Sequence, residues 1–243
     1  MGGAGVTGLI ARLDKAAAGL AVRALAAPGA QPIPTADWLE RARREGSLRR
    51  PLVWRNTLLR CDAFERLHVE FLAIPGEIAV LHLCGFPWPH HARPILGFDV
   101  VAGDHRATGC FLDLSPTIPA AEGAIAAWRD WLAPRRGGLG DTRVLPEWAA
   151  IFSADVVAVR PRDAAEFEAG LAAGAATLEA VLSADAAPVA DPAAMRLAMA
   201  DYVAGQRRND RTRRMLAGCI GQSLADAFID QCLFPAGALP AAA

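Results

Sequence analysis

Three segments with strictly alternating side chains decide the fold of this chain: RLHVEFL at 66–72, IAVLHLC at 78–84 and ILGFDVV at 95–101. Side chains alternate between the two faces of a β-strand, so each segment has one continuous apolar face that predicts a hydrophobic core. The opposite face of the predicted sheet carries four titratable side chains, His68, Glu70, His82 and Asp99.

These four residues share their face with apolar neighbours such as Leu72, Val80, Ile95 and Val101, so we expect a second layer to cover it. A buried carboxyl or imidazole group must be paired or must change its protonation state. One such residue on a strand is usually structural. Four on one covered face leave both a structural role and proton-transfer chemistry open.

Turn-forming residues divide the rest of the chain into elements. We predict a helix over 5–27, a short helix from Thr35 to Arg44, strands from Leu52 to Asp113, a helix over 120–132, a strand over 155–160, and helices over 163–183, 192–208 and 210–234, the last with Asp210 as its N-cap. Consecutive short strands predict an antiparallel meander, and the flanking helices predict an α+β fold with helices on both faces of the sheet. Residues 1–243 are expected to form one domain.

Composition argues against several classes of protein. A net charge of −1 and a pI of about 6.5 disfavour a general nucleic-acid binder. The five cysteines are odd in number and none are spaced as Cys-x-x-Cys, which favours reduced thiols over a disulfide framework or a zinc site. No stretch is long and apolar enough to span a bilayer and no signal peptide is evident, so a soluble, cytoplasmic protein is expected.

Two further clusters of polar residues are considered as binding sites. The basic run from Arg207 to Arg214 is either a solvated helix junction or a site for the carboxylates of a ligand or partner. His90 and His91 lie in a proline-rich loop without the spacing of a zinc site, so no metal is expected. Without a flavin, nicotinamide or metal signature, any redox chemistry would act on a substrate that itself carries electrons.

Short motifs follow one another from residue 67 to residue 235: LHVE at 67–70, LHLCGFP at 81–87, PILGFDVVAG at 94–103, DLSPT at 113–117, LPEWAAIFS at 145–153, RNDRTRR at 208–214 and LFP at 233–235. In composition and order they resemble the ferredoxin-dependent bilin reductases. The resemblance begins at about Asn56, whereas residues 1–50 match only weakly. It implies a three-layer α/β/α sandwich in which biliverdin lies between an antiparallel sheet and the C-terminal helices.

The resemblance also implies an activity. Reduced ferredoxin supplies electrons one at a time, the protein supplies protons, bilin radicals are intermediates, and neither a metal nor a flavin is bound. The implied reaction is the four-electron reduction of biliverdin IXα to phycocyanobilin, at the A ring and the D-ring vinyl group. A two-electron reductase that makes a dihydrobiliverdin, a reductase that makes phycoerythrobilin, and a bilin carrier without turnover remain alternatives.

The resemblance assigns catalytic roles at matching positions. Asp99 and His82 are implied to deliver protons to the pyrrole nitrogens and lactam oxygens, and Glu70 to act at the D-ring vinyl group. His68 would support their hydrogen-bond network. Asp210 matches a polar residue at the rim of the pocket and is counted with the catalytic residues.

Four positions are implied to bind the substrate. Asn209 matches a second polar residue at the rim, and Thr108, Arg143 and Arg211 match contacts to the two propionates. Thr108 stands where serine is expected and Arg211 where lysine is expected. Both changes keep a hydroxyl group or a cation in place, although arginine is not geometrically equivalent to lysine.

The implied protein partner, ferredoxin, is acidic, so we expect basic residues to guide its docking. The first candidates precede the first strand: Arg41, Arg43, Arg44, Arg49 and Arg50. Arg135 and Arg136 are weaker candidates because glycines follow them in what we expect to be a mobile loop. A phytochrome is a possible acceptor of the product.

Overall fold

The computed structural model describes residues 8–35, 37, 39–40 and 51–235. In these ranges one antiparallel sheet contains eight strands: β1 Gln31–Pro32, β2 Val53–Arg60, β3 Phe64–Ile74, β4 Ile78–Pro87, β5 Ile95–Ala102, β6 Ala107–Ser115, β7 Asp141–Thr142 and β8 Val157–Arg160. The strand order is β1-β2-β3-β4-β5-β6-β8-β7. Strands β2 to β6 form the predicted meander, and β1, which was not predicted, pairs at its edge with β2.

The helices precede and follow this meander as predicted: α1 Leu9–Leu25, α2 Glu122–Leu132, α3 Ala164–Ser183, α4 Pro192–Arg207, α5 Asp210–Ile220 and α6 Gln222–Phe228. A single π-helical turn, Ile229–Leu233, follows α6. The start of α3 is fixed by Asp163, whose carboxylate accepts a hydrogen bond from the Glu166 amide, 2.9 Å away. Pro192 occupies the first turn of α4, where a missing N–H costs no hydrogen bond.

Two hydrophobic cores lie on opposite faces of the sheet. The predicted apolar face packs against α1, α2 and α3, and the face that carries the titratable residues packs against α4, α5 and α6. The protein is therefore a three-layer α+β sandwich, which confirms the predicted fold class. On the first face the Phe98 ring lies so close to Gly174 of α3 that a Cβ at that position would overlap it.

The single helix predicted over 210–234 is wrong. Gly221 interrupts it with φ 83° and ψ 155°, a conformation that side chains with a Cβ rarely adopt. The N-cap of α5 is Asn209 and not Asp210, because the Asn209 Oδ1 accepts hydrogen bonds from the amides of Arg211 and Thr212.

A second short strand was not predicted, and one predicted helix cannot be compared with the structure. Strand β7 was not predicted, since a two-residue strand leaves no alternation to read. The short helix predicted from Thr35 to Arg44 falls largely outside the described residues. Within the described ranges, no helix combines the length and apolar character required to cross a membrane.

Candidate functional site

Three titratable side chains form a row across neighbouring strands. Glu70 of β3 pairs in register with His82 of β4, and His82 pairs with Asp99 of β5. Because directly opposed residues point to the same side of a sheet, all three side chains lie on the face covered by the C-terminal helices. His68, two residues before Glu70, is on the same face opposite Cys84.

A cavity of about 320 Å³ lies over this row. Its floor includes Glu70, His82 and Asp99, and its opposite wall comes from the C-terminal helical layer and from the segment between β7 and β8. Leu233 and Phe234 close one side, with the Phe234 ring packed edge-on against His82 at a centroid distance of 5.9 Å. The lining is largely apolar with a few converging polar groups, as is usual for a small-molecule site.

His82 and Asp99 form a close ion pair at the centre of the floor. The His82 Nδ1–H donates to the Asp99 Oδ1 at 2.6 Å. Burial would lower the pKa of His82, but the charge of Asp99, its hydrogen bond and the nearby Glu70 together raise that pKa above its ordinary value. The His82 side chain is buried, whereas the Asp99 side chain is 39% exposed. The raised pKa of His82 favours its protonated form, which lies beside a reachable carboxylate.

Glu70 is a buried carboxyl group with one strong donor. The Trp54 Nε1–H donates to the Glu70 Oε1 at 2.7 Å, and the residue is only 2% exposed. Burial raises the pKa of Glu70 to about 7, against the opposing effects of His82 and the Trp54 hydrogen bond. Glu70 can therefore hold or release a proton near neutral pH, as general acid–base chemistry requires.

His68 is held in a different state from His82. Its Nε2 lies 2.8 Å from the Asn56 Oδ1, and its ring centroid is 5.8 Å from that of His82. Burial, reinforced by His82 and Arg66, lowers the pKa of His68 well below its ordinary value. His68 is therefore a neutral imidazole, which donates to Asn56 and leaves Nδ1 without a protein partner in the part of the chain that the structure describes.

One end of the cavity is lined by the predicted substrate-binding residues Thr108, Arg143, Asn209 and Arg211. The Arg143 Nη1 donates to the Thr108 carbonyl at 2.9 Å, and its guanidinium lies over the Phe111 ring at 5.2 Å from the centroid. Asn209 reaches this end as the cap of α5. The four residues come from β6, the segment after β7 and the start of α5, and only the family resemblance, not a local pattern, had grouped them.

Asp210 is not brought to the site. It occupies the first position of α5, is exposed, and is absent from the residues that line the cavity. Because consecutive residues of a helix point in directions about 100° apart, Asn209 and Arg211 can face the cavity while Asp210 faces solvent. The prediction that Asp210 acts catalytically receives no support from this geometry.

The sequence did not mark Trp54 or Gln206, which also belong to the site. Trp54 donates to Glu70, and its position was readable from the alternation of β2, where Trp54 and Asn56 share one face. Gln206 lines the cavity and donates to the Tyr202 hydroxyl at 2.8 Å. The one feature of the sequence that could have indicated Gln206 is its position one helical turn after Tyr202 on α4.

The basic residues considered for docking fall into two groups. Arg41, Arg43, Arg44, Arg49 and Arg50 lie outside the described residues. Arg135 caps a 3₁₀ segment that begins at Arg136, and both side chains have contacts within the protein: Arg135 lies over the Trp131 ring at 4.5 Å, and Arg136 donates to the Val156 carbonyl at 3.1 Å.

Known proteins are similar to this chain along most of its length. The family described as "Ferredoxin-dependent bilin reductase" matches residues 21–235. A phycocyanobilin:ferredoxin oxidoreductase of Prochlorococcus marinus (strain MIT 9313) is 33% identical over 186 residues, which is 74% of this chain and 69% of that protein. The protein of the same name from Synechococcus sp. (strain CC9605) is 34% identical over 190 residues, 74% of each chain.

A solved structure has the same fold. Phytochromobilin synthase from tomato, in complex with biliverdin, superposes with a TM-score of 0.73 at 16% identity, over 95% of this chain and 84% of that one. The sheet, its two helical layers and the match to the family description agree with the resemblance seen in the motifs. The chain belongs to the ferredoxin-dependent bilin reductase family and is an oxidoreductase.

Proposed function

We propose that this protein reduces biliverdin IXα to phycocyanobilin, with four electrons from reduced ferredoxin and four protons delivered through the protein. The names of its relatives from Prochlorococcus and Synechococcus support the product, and the biliverdin complex of the tomato enzyme supports the substrate. The observation that carries the proposal is the row of Glu70, His82 and Asp99 on the floor of the cavity.

Proton delivery follows from the states of these groups. An added electron makes the bilin more basic, so a donor in contact with the tetrapyrrole can protonate it. His82, charged beside Asp99, serves as that donor, and Asp99 faces the cavity as the group that relays or replaces the proton. His68, neutral and donating a hydrogen bond to the Asn56 Oδ1, supports this network.

Glu70 is proposed to act at the D-ring vinyl group. Its pKa of about 7, raised by burial, means that an appreciable fraction of the side chain is protonated at neutral pH. A carboxylic acid can give up one proton in each catalytic cycle, and the Trp54 N–H stabilises the carboxylate that is left. Without this group the two-electron reduction of the D-ring vinyl group would lack its donor.

The propionates of biliverdin are proposed to bind at the cationic end of the cavity. Arg143 and Arg211 supply the charge, Thr108 a hydroxyl group and Asn209 an amide at the rim. Guanidinium groups match carboxylates in shape and can donate two parallel hydrogen bonds. This orientation leaves the tetrapyrrole core over the row of proton donors.

The product is tested by anaerobic incubation with biliverdin, ferredoxin, a ferredoxin reductase and NADPH, followed by chromatography against bilin standards. We expect phycocyanobilin from the wild-type protein and a two-electron product from Glu70→Gln. A dihydrobiliverdin or phycoerythrobilin from the wild type would keep the family and overturn the product. Tight binding without conversion would instead support a bilin carrier.

Ferredoxin docking is proposed to be electrostatic, through the arginines at 41, 43, 44, 49 and 50. The Michaelis constant for ferredoxin is then expected to rise with ionic strength, because salt screens exposed charges. A constant that stays the same from low to physiological salt would contradict this docking.

We further propose a cytoplasmic location, which the five buried, free cysteines fit, and a phytochrome as product acceptor.

A further inference from the structure

A second recess of about 290 Å³ adjoins the cavity at its cationic end. It is lined by Asp141, Thr142, Arg143, Val144, Arg160 and Arg211. Arg143, Val144 and Arg211 also line the main cavity, so the two spaces are neighbours, whereas Arg160 borders the recess and not the main cavity. No motif in the sequence marks Arg160, which ends β8.

The short ladder between β7 and β8 aims Arg160 into the recess. Arg160 pairs in register with Asp141, and Arg143 directly follows β7, where its amide continues the ladder by donating to the Ala158 carbonyl at 2.8 Å. Directly opposed and i+2 residues share one face of a sheet, so the two guanidinium groups lie on the same side. Arg211 approaches from the first turn of α5 on the opposite side of the recess.

The one carboxylate that lines the recess belongs to Asp141, which also contacts an arginine outside it. Asp141 lies 3.7 Å from the Arg162 Nε, and Arg162 also donates to Glu166 at 2.8 Å. Within the described ranges, neither the Arg160 nor the Arg211 guanidinium has an ion pair or a hydrogen bond. Burial and then the charges of Arg160 and Arg211 lower the pKa of Arg143. Three guanidinium groups thus face a shared space in which Asp141 is the one carboxylate.

We propose that the recess binds one carboxylate of the substrate between Arg160 and Arg211, while Arg143 and Thr108 hold the other from the main cavity. The division follows from the lining, because Arg160 borders only the recess, and Thr108 borders only the main cavity. Arg160 is then a substrate-binding residue. This inference rests on the proposed function, since biliverdin carries two propionates.

The test is an absorbance titration of the resting protein with biliverdin and with biliverdin dimethyl ester, which lacks both negative charges. In Arg160→Gln we expect the dissociation constant for biliverdin to rise about tenfold, the usual weight of one charge-assisted contact at a partly exposed site. The constant for the diester is expected to stay unchanged. Arg160→Lys keeps the cation and should lose less.

Arg60→Gln is the matched control, because it removes one exposed arginine charge from β2, far from the recess. An Arg160→Gln protein that binds biliverdin like the wild type overturns the inference, and so does an equal loss for biliverdin and its diester. An effect confined to the Michaelis constant for ferredoxin would assign Arg160 to a protein partner and overturn it as well. A wild-type protein that binds no biliverdin contradicts the proposed function itself.

Discussion

The His82 Nδ1 and the Asp99 Oδ1 lie 2.6 Å apart on adjacent strands, and this contact sets the charge of the only imidazole paired with a carboxylate among the described residues. The raised pKa of His82 gives the contact a defined pH dependence. Its contribution to stability is complete below the ordinary imidazole pKa of about 6.5 and is lost as the pH rises through the folded-state pKa.

Asp99→Asn removes the charge and keeps the shape. We expect the pKa of His82 to fall, because burial is then no longer opposed by a carboxylate, and turnover to drop by about 100-fold or more through loss of proton delivery. NMR titration of the imidazole and single-turnover assays measure the two effects. Asp201→Asn, an exposed change on α4, is the control. An unaltered His82 titration in Asp99→Asn would refute the assignment.

Glu70→Gln is expected to change how stability depends on pH. Folded Glu70 keeps its proton up to about pH 7, whereas an unfolded glutamate loses it near pH 4.3, so unfolding releases a proton between these values. The wild type should lose up to about 3 kcal/mol of stability from this group between pH 4.5 and 7, and the variant should not. Urea denaturation at several pH values measures the difference, with exposed Glu147→Gln as control.

Two buried tryptophans in the described part of the chain donate hydrogen bonds to side chains and can be compared as a matched pair. Trp54 donates to the carboxyl group of Glu70 and Trp128 to the hydroxyl group of Thr177, at 2.7 Å and 3.2 Å. Trp54→Phe and Trp128→Phe should each cost about 1–2 kcal/mol. Only the cost of Trp54→Phe should grow from pH 5 to pH 8, because only that change leaves a buried carboxylate without its donor. Equal pH profiles in chemical denaturation would count against this.

Two glycines test the packing of the helices. Gly174→Ala drives a Cβ into the Phe98 ring and should destabilise the protein by about 1–3 kcal/mol, measured by thermal unfolding. Gly218→Ala on α5 meets nothing within 4 Å and should stabilise it by about 0.5–1 kcal/mol through helix propensity. Since Gly174 lies on the face away from the cavity, turnover below the melting range should remain normal. A Gly174→Ala protein as stable as the wild type would contradict the prediction and show that α3 can move away from the sheet.

The sequence predicted the meander and the row of titratable residues because both depend on a period of two, which survives without tertiary information. The register that places Glu70 beside His82 and Asp99 follows once three alternating strands are joined by short turns. Asn209 and Asp210 are adjacent residues with similar capping propensity, so propensity alone could not choose between them. The assignment of Asp210 to the catalytic group came from its motif and not from its position on a helix.

Arg160 shows a different limit of sequence-based prediction. Its place near Arg143 depends on β7, a two-residue strand that reaches the sheet only through β8, which pairs with β6 on its other side. A local pattern cannot report such a contact. Gly221 is a similar case, since glycine inside a helical pattern indicates either a tolerated residue or a break, and tertiary packing decides between them.

The consecutive order of β3, β4 and β5 has a consequence for how the site is assembled. Glu70, His82 and Asp99 are joined by two hairpins of low sequence separation, whereas the layer that covers them comes from helices more than 90 residues further along the chain. Hairpin contacts form early and distant ones late, so the row should exist before its cover does. Partial opening of α4–α6 would then admit a large, flat substrate without breaking the ladder beneath it.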